Sequence, residues 1–114
     1  MNAIAYTRFA IQAQADLYRK KDNPQTIAIK NYCTECDVTL LQVFHDVSNG
    51  KDFERQGWRD LERYLSSPGH NVQFLIVQSF DRICRNNDLA KEKITFLEKE
   101  YDLSVIALSG DDLK

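Results

Sequence analysis

The sequence predicts an α/β fold with three layers, in which a mainly parallel sheet of four or five strands carries helices on both faces. Short apolar runs typical of strands alternate strictly with longer segments typical of helices. This alternation indicates βαβ units and therefore a parallel sheet. The chain has 114 residues, 43% hydrophobic and 28% charged, so we expect a single domain over residues 1–114 with a core of its own.

The first half of the chain contains two predicted strands. Residues 3–9 form a short apolar run that predicts a buried strand. Residues 11–21 permit a helix but are weakly patterned, and the Asp-Asn-Pro sequence at residues 22–24 indicates a helix start. Residues 38–45 are rich in β-branched and aromatic side chains, which predicts the second strand. Residues 46–51 then read as a loop with a turn at Asn-Gly.

The next helix is predicted from apolar residues at spacings of three and four. Trp58, Leu61 and Leu65 follow this spacing, and Asp52 lies where a side chain could cap the helix. Trp58 is therefore interpreted as a core anchor. The Ser-Ser-Pro-Gly sequence at residues 66–69 is expected to end this helix.

The last part of the chain predicts two more strands and a helix between them. Residues 72–77 are the most apolar run and predict a central strand. Residues 79–85 read as a loop, and Asn87 is expected to cap the helix that follows. Residues 103–108 predict the fourth strand.

The charge of the chain is nearly balanced. The net charge is −2 and the pI is about 5.6, whereas a domain that holds DNA through its overall field is clearly basic. Any contact with nucleic acid must therefore come from a local cationic site. No apolar run approaches the length of a membrane span, and the N-terminus lacks the pattern of a signal peptide. We expect a soluble cytoplasmic protein with no membrane partner.

Three cysteines, Cys33, Cys36 and Cys84, do not predict a disulfide framework. The first two have C-x-x-C spacing, but this pair closes a helical pattern, whereas a redox pair should follow a strand and open a helix. A zinc site would need further ligands, and no second pair stands at metal spacing. Structural thiols are the favoured interpretation, with redox and metal sites as alternatives.

Arginines follow three of the predicted strands. In an open parallel sheet, ligands bind at the carboxyl ends of the strands, and the residues expected there are Arg8, Arg55, Asp81, Arg82 and Arg85. Guanidinium groups bind phosphate in a bidentate manner and stay charged. Because clustered like charges need an opposite charge and Asp81 can balance only one or two of the four arginines, this pattern indicates an oxyanion or phosphodiester ligand. The alternative is that the arginines form surface ion pairs with Asp46, Glu54 and Asp60.

Other catalytic schemes fit the sequence poorly. There is no glycine-rich nucleotide loop of the GxGxxG or GxxxxGK[ST] type. Nucleophilic catalysis of the Ser-His-Asp or Cys-His type needs a histidine beside the nucleophile. His45 precedes the loop after strand two, and His70 is expected at the opposite edge of the sheet from the arginines. Both histidines are interpreted as surface or packing residues.

Five segments follow one set of motifs in order. Residues 6–10 (YTRFA) look like Y-x-R-V-S, residues 25–32 like Q-x-x-x-L-x-x-Y, residues 46–50 (DVSNG) like D-x-x-S-G, residues 55–57 (RQG) like R-x-G, and residues 80–85 (FDRICR) like L-D-R-L-x-R. Together they resemble the catalytic domain of the serine recombinases, the resolvase/invertase family. The resemblance covers nearly all of the chain, although Asn49 stands where the third motif has serine.

The resemblance implies a mechanism and a set of site residues. In this family a serine hydroxyl attacks a DNA phosphodiester, forms a phosphoserine link, and the strands are exchanged within a tetramer. Arg8, Arg55, Arg82 and Arg85 would bind the phosphate, Asp81 would orient arginines or help to move a proton, and Gln14 would make a minor polar contribution. The family's chemistry uses arginines, so no metal or organic cofactor is implied.

One departure from the family pattern changes the expected activity. Ala10 stands at the position of the nucleophilic serine, and a methyl group cannot attack phosphorus. The resemblance also implies a C-terminal dimerisation helix and a DNA-binding domain that these 114 residues do not contain. We therefore expect an inactive catalytic domain that binds DNA weakly and self-associates. The alternative is a non-catalytic regulatory module that pairs with recombinase subunits.

Overall fold

The chain folds into a four-stranded parallel sheet. The structure is a computed structural model, and it describes residues 1–9, 24–47 and 55–109. The strands are β1 (Asn2–Phe9), β2 (Thr39–Val47), β3 (Phe74–Val77) and β4 (Ser104–Ala107), and the helices are α1 (Pro24–Glu35), α2 (Gln56–Ser66) and α3 (Asn87–Tyr101). A short 3₁₀ helix, Phe80–Arg82, follows β3. The strand order is β2-β1-β3-β4 with every pair parallel, which confirms the predicted α/β class.

Helices cover both faces of the sheet because the side chains of β1 alternate between the faces. On one face, Ala3 and Ala5 pack in an apolar cluster with Ile29 and Cys33 of α1. On the other face, Ile4 and Tyr6 belong to a larger cluster formed with α2 and α3. The α2 and α3 side chains in this cluster are Trp58, Leu61, Leu65 and Leu97. The three-layer arrangement and the core position of Trp58 are as predicted.

The start of β1 is fixed by polar contacts near the molecular surface. The backbone N–H of Asn2 donates to Oε1 of Gln73 at 2.6 Å, and the Asn2 side chain donates to the carbonyl of Asn71 at 2.9 Å. Close by in the chain, the His70 ring meets the edge of Tyr101 at 6.1 Å between ring centres. His70 therefore packs just before β3, at the amino-terminal edge of the sheet, as the sequence indicates.

Both predicted helix caps are wrong by one or more positions. Helix α2 begins at Gln56 with Arg55 as its N-cap, not Asp52. Helix α3 begins at Asn87, and its cap is Asn86, whose side chain accepts from the backbone N–H groups of Asp88 and Leu89. The predicted loop over residues 79–85 also contains the 3₁₀ helix. Capping depends on which acceptor reaches the free N–H groups, and several nearby polar residues are equally suitable by type.

Some predicted features lie outside the described residues. These are the helix-permissive segment 11–21, the Asp-Asn part of the helix start, the Asn-Gly turn, and the side chains of Ala10 and Gln14. Within the described ranges, no helix combines the length and the apolar character that crossing a bilayer requires.

Candidate active site

Buried polar side chains gather at the carboxyl-terminal edge of the sheet. Within residues 1–9, 24–47 and 55–109, every polar or charged residue that is buried lies at the end of a strand or in the turn or helix start beside it. The set is Thr7, Arg8, Gln25, Thr26, Arg55 and Ser79. Burying polar groups is unfavourable unless they are hydrogen-bonded, so this edge requires dense internal pairing.

Arg8 lies at the centre of this edge and is only 2% exposed. Its Nη2 donates to the carbonyl oxygen of Asp81 at 2.8 Å, and its Nε donates to the carbonyl oxygen of Arg82 at 3.2 Å. In return, Nη1 of Arg82 donates to the carbonyl oxygen of Arg8 at 3.1 Å. These bonds join the end of β1 to the 3₁₀ helix and bring two guanidinium groups together.

Arg55 reaches the same edge from the N-terminus of α2. It is 5% exposed, its Nη2 donates to the carbonyl oxygen of Ile83 at 2.5 Å, and its Nη1 donates to the hydroxyl of Tyr6 at 3.1 Å. The guanidinium carbon lies 5.6 Å from the centre of the Tyr6 ring and 5.8 Å from that of Trp58. Cation–π attraction to two rings partly offsets the loss of hydration.

Asp46, at the end of β2, connects Tyr6 to helix α2. Its carboxylate accepts from the Tyr6 hydroxyl at 2.7 Å and from the backbone N–H groups of Gly57 and Trp58 at 2.8 and 2.9 Å. Asp46 therefore satisfies the first free N–H groups of α2 and places a negative charge at the positive end of the helix. Burial and this hydrogen bond raise the pKa of Tyr6, so its phenol remains a neutral donor at physiological pH.

Gly57 is required at the start of α2 because the helix approaches β2 very closely. A Cβ at this position would lie 2.2 Å from the carbonyl oxygen of His45 and 2.8 Å from Oδ2 of Asp46. Any larger residue would separate the carboxylate from the N–H groups that it accepts from. The R-x-G spacing therefore has a physical basis here: the glycine lets the helix approach, and the arginine two residues earlier enters the edge.

The remaining predicted site residues lie around this centre or outside the residues that the structure describes. Asp81 is exposed, and its carboxylate accepts from the Ser79 hydroxyl. Arg82 is half-buried, and its Nε makes no hydrogen bond with any described residue. Arg85 is exposed beyond the 3₁₀ helix. The structure thus brings Arg8, Arg55 and Arg82 together and does not join Arg85 to them, while Ala10 and Gln14 lie outside the described residues.

The electrostatics of the edge favour an anion. Burial lowers the pKa of Arg8, and the neighbouring charges of Arg82 and Arg55 lower it further, whereas Asp81 acts in the opposite direction. Arginine stays protonated at neutral pH, so the part of this effect that comes from Arg82 and Arg55 is a positive potential at the Arg8 guanidinium. An oxyanion placed there would relieve that potential.

Two of the four arginines do not lie on the surface, where the alternative of surface ion pairs would place them. Arg8 and Arg55 are buried rather than exposed. Asp60 pairs with Arg63, at 3.5 Å on the helix surface, and Asp46 is occupied by Tyr6 and the start of α2. Glu54 lies outside the described residues.

Sequence reasoning missed two contributors to this edge. The sequence contained a usable signal for Tyr6, because residues two apart on a strand share a face and Tyr6 is two residues before Arg8. Gln25 begins one of the motifs that carry the family resemblance, but no strand or helix spacing connects it to this edge: its side chain bonds the backbone of Arg8, 17 positions earlier. No local pattern predicts a contact of that kind.

The two thiols of the C-x-x-C pair lie in different surroundings. Cys33 is buried against the sheet and Cys36 is exposed, and both are free. Burial, followed by the proximity of Cys36, raises the pKa of Cys33, whereas a redox-active thiol needs a lowered pKa. Over the described ranges, no three His, Cys, Asp or Glu side chains are grouped to hold a metal ion.

Three solved structures share this architecture. The catalytic domain of ISC1926 TnpA, an IS607-like serine recombinase, aligns with a TM-score of 0.79 and 19% identity over 100% of this chain and 71% of its own. The N-terminal catalytic domain of TP901-1 integrase aligns with a TM-score of 0.81 and 16% identity over 96% of this chain and 79% of its own. A resolvase family site-specific recombinase from Streptococcus pneumoniae aligns with a TM-score of 0.75 and 17% identity over 99% of this chain and 79% of its own. At these identities the likeness defines the fold.

Sequence comparison defines the family. The resolvase N-terminal domain family matches residues 3–114, which is nearly the whole chain, so this chain belongs to that family. A comparison with proteins of curated function gives no match.

Proposed function

We propose that residues 1–114 are the catalytic domain of a serine site-specific DNA recombinase, and that the domain binds a DNA phosphodiester without cleaving it. One observation carries the proposal: the guanidinium groups of Arg8, Arg55 and Arg82 converge on the end of β1. Position 10 follows that end directly in the sequence. In a recombinase, a nucleophile at that position would face a phosphate held by these arginines.

The three arginines supply the charge that phosphoryl chemistry requires. Guanidinium groups held in place by hydrogen bonds to carbonyl oxygens are preorganised to stabilise the charge that develops on phosphate oxygens. Arg82 has a buried Nε without a hydrogen bond among the described residues, which suits donation to such an oxygen. Arg85, which is exposed, would contact the phosphates of the DNA backbone as the DNA approaches the site. Asp81 is assigned to orient arginines or to help move a proton, and Gln14 to a minor polar contact.

Ala10 limits this chain to binding. Its methyl group has no lone pair to attack phosphorus, so no phosphoserine can form at that position. The proposed partners are DNA, bound weakly through this one edge, and further copies of recombinase subunits. The arginines meet the need for positive charge, so the proposal invokes no metal or organic cofactor.

Restoring the hydroxyl tests the proposal directly. The Ala10→Ser variant, joined to the dimerisation and DNA-binding regions of an active recombinase, is incubated with a nicked suicide DNA substrate. The serine oxygen would bond to phosphorus, the P–O3′ bond would break, and the proton would pass to the released 3′ oxygen. We expect a covalent protein–DNA species on a denaturing gel, and none from the double variant Ala10→Ser, Arg82→Gln.

A second function is favoured by the exposed apolar side chains of α3. Leu89 is 39% exposed and Phe96 is 46% exposed, and residues seven apart lie on one face of a helix. A non-catalytic module that pairs with recombinase subunits would use such a face. If Ala10→Ser gives no covalent species while the chain forms mixed dimers with an active recombinase in sedimentation experiments, this second function replaces the first.

A further inference from the structure

The two neighbours of β1 differ in length, which leaves part of β1 without a strand on one side. β2 pairs with β1 from Asn2 to Phe9, whereas β3 pairs with it only from Ala3 to Ala5. The backbone of Arg8 therefore lies beyond the end of the β3 pairing. Backbone N–H and C=O groups that are buried without a partner are costly, so this position needs another source of hydrogen bonds.

Gln25, in the first turn of α1, supplies both missing bonds. Its Oε1 accepts from the backbone N–H of Arg8 at 3.2 Å, and its Nε2 donates to the carbonyl oxygen of Arg8 at 3.0 Å. The side-chain amide thus pairs with one residue through one donor and one acceptor, as a neighbouring strand would. Gln25 is itself buried, so water does not readily replace it.

The carbonyl that Gln25 holds is also a docking point for an arginine. Nη1 of Arg82 donates to the Arg8 carbonyl at 3.1 Å, and Nε of Arg8 donates to the Arg82 carbonyl at 3.2 Å. The amide of Gln25 therefore fixes one of the backbone oxygens that set the two guanidinium groups relative to each other, namely the one that holds Arg82. Moving that oxygen would shift both groups.

We propose that Gln25 is a positioning residue for the anion site: it acts through the main chain of Arg8 and sets the separation of the Arg8 and Arg82 guanidinium groups. The inference rests on the proposed function, since it names how the phosphodiester-binding edge is held in shape. Gln25 need not touch the phosphate.

The chain contains a matched control for this proposal. Gln73 also bonds the backbone of β1, but at the opposite end, where its Oε1 accepts from the N–H of Asn2 at 2.6 Å. Methionine has nearly the shape of glutamine, so replacing either residue with methionine removes only the amide that bonds the backbone of β1. The Gln25→Met and Gln73→Met variants therefore separate a loss of strand pairing from a loss of site geometry.

The test measures binding of a short fluorescent duplex DNA at low ionic strength, well below the melting temperature of each variant. We expect Gln25→Met to raise Kd about tenfold, since the hydrogen bonds that hold the main chain of Arg8 are lost. We expect Gln73→Met to leave Kd unchanged. Gln25→Asn keeps an amide in the same place but is one methylene too short to bond both groups, so it should also raise Kd. This variant decides the question if Gln25→Met does not fold.

The outcomes distinguish the two proposals. If the unmodified chain does not bind the duplex, the proposed function fails. If the unmodified chain binds and the folded Gln25 variant binds equally well, or Gln73→Met weakens binding to the same extent, the role of Gln25 is overturned while the proposed function stands.

Discussion

Both ends of β1 are fixed by hydrogen bonds from polar side chains, but these side chains differ in their exposure to solvent. At the amino-terminal end, β1 is held by Asn2, Asn71 and Gln73, and these three residues remain partly or fully exposed. At the carboxyl-terminal end, β1 is held by the buried Gln25 and the half-buried Arg82, and Arg8 itself is buried. The same strand therefore shows that fixing a strand end does not require buried charge.

The buried charge at the carboxyl-terminal end needs a different explanation. Removing one ion from water costs several kcal/mol even after the protein relaxes, and Arg8 lies beside two like charges. The carbonyl bonds and aromatic contacts of Arg8 and Arg55 offset part of this cost. An edge that keeps an unfavourable arrangement of this kind is typical of a site built for a ligand rather than for stability.

The largest expected difference between the two ends comes from a pair of glycines. In Gly57→Ala, the new Cβ meets the His45 carbonyl at 2.2 Å, so we expect a loss of about 3 kcal/mol in unfolding free energy. Gly69, in the turn before β3, has φ +76 but open space around it, so Gly69→Ala should cost about 1 kcal/mol from backbone strain alone. Urea denaturation of both variants measures the gap, and equal losses would show that the close approach at Asp46 is unimportant.

A pair of tyrosines gives the next largest difference. Tyr6→Phe removes a hydroxyl that donates to Asp46 and accepts from Arg55. Because both partners are charged, we expect a loss of about 1.5 kcal/mol. Tyr101 packs its ring on His70 at the other end, and Tyr101→Phe should change stability by less than about 0.5 kcal/mol. The same midpoint for both variants in guanidinium denaturation would show that the Tyr6 hydroxyl contributes no more to stability than the Tyr101 hydroxyl.

Alkaline pH should affect the unmodified chain more than Tyr6→Phe. The folded chain raises the pKa of Tyr6 above the ordinary phenol value, so the unfolded chain loses this proton first. The stabilisation is complete below about pH 10 and is lost as pH rises beyond the ordinary value. Tyr32 and Tyr101 also have raised pKa values, but both proteins contain them. Parallel plots of unfolding free energy against pH for the two proteins would contradict this assignment.

The smallest effect is expected on the outer surface of α2. Arg63 pairs with Asp60 at 3.5 Å, with the Arg63 side chain 75% exposed. Arg63→Ala should therefore change the unfolding free energy by less than about 0.5 kcal/mol. If a thermal melt shows a larger loss of stability, an exposed arginine on the surface of α2 would contribute as much to stability as the arginines of the carboxyl-terminal edge.

The fold was largely predictable because it depends on local patterns. The apolar run that ends in β3 and the Trp58, Leu61 and Leu65 spacing of α2 are visible without any tertiary information. The capping of α2 was not, since the N–H groups of Gly57 and Trp58 are taken by Asp46 from a different element. A capping residue that comes from a neighbouring strand cannot be recognised from the residues just before the helix.

The candidate site was predictable only in outline. The positions of Arg8, Arg55 and Arg82 after strands indicate a common edge by topology alone. Their burial and their contact with Tyr6 depend on packing, and the amide of Gln25 depends on the early end of the β3 pairing. The placement of Arg85 away from the other three depends on the 3₁₀ helix, which the sequence presented as a loop.

Salt-dependent DNA binding by two arginine variants tests the central claim most directly. Arg82→Gln and Arg63→Gln each remove one positive charge, the first from the carboxyl-terminal edge and the second from the surface of α2. With a short duplex, we expect Arg82→Gln to weaken binding about tenfold and to reduce the slope of log K against log salt by about one. Arg63→Gln should change neither quantity. Equal effects of the two variants, or no effect of Arg82→Gln, would contradict the claim that the arginines gathered at the carboxyl-terminal edge form a phosphodiester site.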